Sequence, residues 1–86
     1  MRHAGSETLA GLEGVLAALR GTPGIVEQKA GIFYRGSKAF LHFHEDPTGP
    51  YADVRLQAAG DFERFRVRTA TERRQLLARV RAALRP

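Results

Sequence analysis

The chain has 86 residues, 43% of them hydrophobic and 27% charged, with a net charge of +5 and no cysteine. That length suits one domain burying only ~60% of its unfolded surface, which excludes separate catalytic and regulatory domains. The lack of cysteine excludes disulfides and thiolate metal sites. No uncharged run exceeds six residues, so neither a membrane-spanning helix nor a signal-peptide core is expected, and the expected compartment is the cytoplasm.

The charge is uneven. Residues 1–60 carry six basic and six acidic groups, whereas residues 61–86 carry eight Arg against Asp61, Glu63 and Glu72. A basic segment of this kind attracts phosphate backbones or anionic surfaces. The plainer reading is a solvated face in an Arg-rich chain, in keeping with twelve Arg against two Lys.

In chain order, residues 1–5 read as a frayed start. Ser6 is a candidate N-cap with Glu7 in the first turn. Leu9, Leu12, Leu16 and Leu19 then recur at three- and four-residue spacing, with Val15 alongside, as one stripe of an amphipathic helix. Gly21 and Pro23 stop it. Residues 24–35 read as a strand with a candidate interruption at Ala30-Gly31. Arg35-Gly36-Ser37-Lys38 suits a two-residue type II′ turn, with Gly at the first central position.

Residues 37–44 and 51–56 alternate apolar and polar side chains around the loop 45–50, the period of half-buried strands. Pairing Arg35 with Lys38 places Phe33 opposite Phe40 and Ile32 opposite Leu41. The next hairpin places Leu41 opposite Val54, His42 opposite Asp53, Phe43 opposite Ala52 and His44 opposite Tyr51. A one-residue slip would invert these faces. Residues 61–68 read as a fourth strand, with Phe65 and Val67 on one side and Arg64, Arg66 and Arg68 on the other. Thr69 and Glu72 form a capping box for a helix to about Leu84, whose buried stripe is Leu76, Val80 and Leu84.

The order α-β-β-β-β-α predicts one α+β domain over residues 1–86. It would be a two-layer sandwich, with both helices on one face of a four-stranded antiparallel sheet. The expected core is Leu9, Leu12, Leu16, Leu19, Ile32, Leu41, Phe43, Val54, Leu56, Phe65, Val67, Leu76, Val80 and Leu84. The uncovered face would carry Phe33, Phe40, His42, His44, Tyr51, Asp53 and Arg55, beside Arg64, Arg66 and Arg68.

Three functions fit such a face. An exposed aromatic patch suits a protein interface, the simplest being a homodimer. Aromatics interleaved with Arg suit nucleic acid, held through Arg64, Arg66, Arg68, Arg74, Arg81 and Arg85, although no RNP-type motif is present. His42-x-His44 on a strand puts two imidazoles on one face roughly 6–7 Å apart, and Asp53 across the ladder would complete a two-His-one-carboxylate metal or small-ligand set. Cross-strand His–Asp pairs are also common as plain surface hydrogen bonds. His3, near the chain end, carries no signal.

Gly36 and His42-Phe43-His44 imitate the start of a cupin motif, but Thr48 and Gly49 stand where its Glu should be. His42-x-His44-x-Asp46 imitates a metallo-hydrolase signature, but Pro47 stands where the next His should be. No nucleophile elbow, P-loop or dinucleotide fingerprint is present. The expectation is therefore a non-enzymatic domain without a cofactor, acting by protein contact through its open face as a homodimer, with nucleic acid as the alternative and a metal or small ligand third.

Gly24-Ile25-Val26-Glu27 and Ser37-Lys38-Ala39-Phe40 resemble the "G-V-x-E" and "G-K-x-F" strands that follow the first helix of small bacterial YjbR/MmcQ-like domains. The likeness covers about residues 6–45 and lacks that group's longer aromatic tail. It implies a frataxin-like arrangement of helices on a sheet and no established chemistry. DNA binding has been suggested for the group from shape alone, and fold analogy does not assign function.

Overall fold

A computed structural model describes residues 2–85 of the chain. It is an α+β structure with three helices and an antiparallel sheet. The elements are β1 (Arg2–His3), α1 (Ser6–Ala10), α2 (Glu13–Arg20), β2 (Val26–Lys29), β3 (Ile32–Arg35), β4 (Lys38–Asp46), β5 (Gly49–Val54), β6 (Glu63–Arg66) and α3 (Ala70–Leu84). The sheet runs β2-β3-β4-β5-β6, each strand beside its neighbour in sequence, and β1 pairs with β4.

The sheet therefore has one main strand more than the four expected. The segment 24–35 is a hairpin, because Gly31 at φ +75° reverses the chain between β2 and β3. An added Cβ there would meet Leu9 Cδ2 at 2.8 Å, so a side chain at this position would meet the strained φ and would also have to displace the end of the Leu9 side chain. The segment expected to be frayed also differs. Arg2 and His3 pair with Glu45 and His44, and the Ala4 amide donates to the Phe43 carbonyl at 3.1 Å. Met1 lies outside the described residues.

The first helix is broken at Gly11-Leu12 into α1 and α2, and its N-cap is Gly5, one residue before Ser6. The stripe survives the break, since Leu9, Leu12, Val15, Leu16 and Leu19 are all buried. The Thr69–Glu72 capping box forms in both directions: Thr69 Oγ1 accepts from the Glu72 amide, and Glu72 Oε1 from the Thr69 amide.

Arg35 pairs with Lys38 around Gly36, whose φ of +63° suits the first central position of a type II′ turn. The β4–β5 pairs Leu41↔Val54, His42↔Asp53, Phe43↔Ala52 and His44↔Tyr51 stand as the alternation predicts. The β3–β4 register does not. Phe33 pairs with Leu41 and Tyr34 with Ala39, leaving Phe40 as an extra residue in a β-bulge. The bulge turns Phe40 and Leu41 toward the same side. Phe33 (0% exposed) and Phe40 (2%) consequently join the core, while Ile32 stands half-buried opposite His42 on the other side. The core unites the apolar residues of all three helices with Phe33, Phe40, Leu41, Phe43, Ala52, Val54 and Val67. Leu56, Phe65 and Leu84 pack against it partly buried.

Candidate metal centre

The sheet face away from this core carries His42 and His44, two residues apart on β4. β1 adds His3 directly opposite His44. The ring centroids lie 4.5 Å apart for His42–His44, 5.2 Å for His3–His44 and 5.7 Å for His3–His42. One ring nitrogen from each of the three lies within 4.8 Å of the other two. A tetrahedral zinc ion with bonds of 2.0–2.1 Å would draw them to about 3.3 Å.

The burial is graded. His3 is exposed and His42 half-buried, and the His44 side chain keeps 12% exposure. Among the described residues, His42 Nδ1 and both ring nitrogens of His44 are buried without a hydrogen-bond partner. Leaving a buried polar atom unpaired costs about 1–3 kcal/mol, and a bound water or an ion accounts for such a group. Burial, and then the nearby His44 and His3 rings, hold the His42 imidazole below the ordinary histidine range. It is therefore neutral, the form that ligates metals, at neutral pH.

Asp53 lies opposite His42 and Arg64 on the ladder. Its carboxylate is only 10% exposed and accepts two bonds from Arg64: Nε to Oδ1 at 2.8 Å and Nη2 to Oδ2 at 3.0 Å. This bidentate bond holds the Asp53 carboxyl below its usual range. Asp53 Oδ2 also sits 3.0 Å from His44 Nε2, a contact without the direction of a hydrogen bond. Asp53 is therefore next to the three-histidine set but not part of it. Phe62 closes one flank, its ring 4.7 Å from that of His42, and Arg55 lies over Phe62 at 4.4 Å.

The other expected site residues divide. Phe33 and Phe40 belong to the core, because the bulge removes them from this face, and the aromatic patch there shrinks accordingly. Tyr51 remains, its hydroxyl 2.7 Å from Thr48 Oγ1. Arg55 donates to the carbonyls of Gly60 at 2.8 Å and Ala39 at 3.4 Å. Of the six arginines expected to contact nucleic acid, Arg64 is engaged by Asp53 and Arg66 by Glu72 at 2.8 Å. Arg74 donates to Thr71 Oγ1 at 3.2 Å, and Arg68, Arg81 and Arg85 are exposed.

His3 and Phe62 are the members that sequence reasoning missed. Two residues of strand at a chain end show no periodicity, so His3 had no signal of its own. Phe62 follows the turn 57–60 and is positioned by the return of the chain into β6. The chain matches no protein-family model, no curated protein and no solved structure. The likeness to YjbR/MmcQ-like domains rests on its two short motifs alone. Among the described residues no helix is long and apolar enough to cross a membrane.

Proposed function

We propose that this domain binds a divalent transition-metal ion through His3, His42 and His44. The observation that carries the reading is the convergence of three imidazoles, with His42 Nδ1 and His44 Nδ1 buried without a hydrogen-bond partner. An all-imidazole set suits Zn²⁺, Cu²⁺, Ni²⁺ or Fe²⁺ and disfavours Mg²⁺ and Ca²⁺, which take oxygen ligands. The reading takes all the helices as lying on the core side of the sheet. Their shared cluster with Phe33, Leu41, Phe43 and Val54 supports this placement, which leaves the histidine face uncovered by a helix.

The test is calorimetric titration of tag-free protein with Zn²⁺. One ion per chain is expected, with binding lost in His42→Ala and His44→Ala and weakened in His3→Ala. Absence of binding, or equal binding by wild type and the His42→Ala/His44→Ala double variant, would overturn the assignment.

A further inference from the structure

We infer that the metal centre takes a small monovalent anion as an exogenous ligand, and that the Asp53–Arg64 pair keeps the place for it open. The inference rests on the metal reading above. Three neutral imidazoles leave the +2 charge of the ion unbalanced. A carboxylate beside the set, Asp53, is held by both oxygens on Arg64 and stands outside the set of converging nitrogens. A three-imidazole ion retains at least one position for a ligand from solution. The exposure of His3 puts that position on the solvent side. Phe62 packs against His42, and a single open position beside three side-chain ligands suits a small ligand such as azide, hydroxide or a short carboxylate.

Arg64 is thus a positioning residue. Its part is to keep Asp53 off the metal. Removing the guanidinium would free a largely buried carboxylate already 3.0 Å from His44. That carboxylate would then balance the ion and compete with any incoming anion.

The experiment uses the full chain loaded with Co²⁺, with azide as the probe and the visible cobalt spectrum as the readout. Azide is expected to change the spectrum saturably in wild type. Arg64→Ala should weaken azide binding by about tenfold or more, the scale of one added unit charge a few ångströms away. Asp53→Asn, alone or combined with Arg64→Ala, should bind azide at least as well as wild type. That rescue separates release of Asp53 from a direct pull of Arg64 on the anion. Co²⁺ that binds without any azide response overturns this inference and leaves the metal assignment standing. So does a loss in Arg64→Ala that the double variant fails to restore. If Arg64→Ala does not fold, azide binding weakened in Asp53→Asn alone also overturns it. Failure to bind Co²⁺ and Zn²⁺ alike sinks both.

Discussion

His3 stands directly opposite His44 across the β1–β4 ladder, their ring centroids 5.2 Å apart. A two-residue strand is a weak structure by itself, and contacts around β1 help to hold it against β4. The Ala4 amide reaches the Phe43 carbonyl, the Gly5 amide donates to Glu45 Oε1 at 2.9 Å, and the Thr8 hydroxyl donates to Glu45 Oε2. An ion shared by His3, His42 and His44 would add a cross-link between this strand and β4.

That cross-link has a thermodynamic consequence. A ligand that binds only the native state at a hundred times its Kd adds about 2.7 kcal/mol. For a chain of this size the melting temperature should rise on the order of 10 °C with Zn²⁺. Chelation should reverse the shift, and His44→Ala should show none. Differential scanning calorimetry with and without chelator checks this.

The bulge at Phe40 makes a second prediction. Phe33→Ala and Phe40→Ala should each destabilise by about 3–5 kcal/mol, as deletions of buried aromatics do. Val26→Ala, on a side chain 64% exposed, should stay within about 0.5 kcal/mol. Chemical denaturation of the three variants separates the core placement of Phe40 from a surface one, where its loss would resemble that of Val26.

Two glycines with positive φ should respond differently to a methyl group. At Gly36 a Cβ has nothing within 4 Å, so Gly36→Ala meets only the cost of a left-handed conformation, about 1–2 kcal/mol. At Gly31 the same cost is joined by a 2.8 Å clash with Leu9. Gly31→Ala should be the more damaging of the pair, and its excess should shrink in a Leu9→Ala background. Unfolding free energies of the two single variants and the Leu9→Ala double variant measure both effects.

The pH dependence of α3 follows from Glu72. Its carboxylate accepts from Arg66, and from the Thr69 and Arg68 amides. These contacts, the Arg66 bond foremost, hold its pKa down to about 2. A carboxyl whose folded pKa lies below its unfolded value stabilises the fold above the unfolded pKa and loses that contribution as the pH falls. Wild type should therefore exceed Glu72→Gln in stability at neutral pH. The gap should close from about pH 4.5, the ordinary glutamate value, down to about pH 2. Paired thermal melts across that range test it, and a constant gap would count against the Arg66–Glu72 contact.

Much of this fold was legible in the residues themselves. Period-two alternation placed His42, His44, Asp53 and Tyr51 on one face. The Arg35–Lys38 pair at the Gly36 turn and the register of the β4–β5 hairpin stand as read. Thr69 and Glu72 announced the start of α3, because a capping box is local chemistry. What failed was non-local. A β-bulge adds one residue to one strand without leaving a compositional mark, so Phe33 and Phe40 exchanged the surface for the core when β3 and β4 met. Gly31 hinted at an interruption, but only its close approach to Leu9 shows why the chain turns there. His3 lies about forty residues from His42 in sequence, beyond any periodicity. Strand addition alone, through the ladder of β1 on β4, turned a His-x-His pair into a three-imidazole centre.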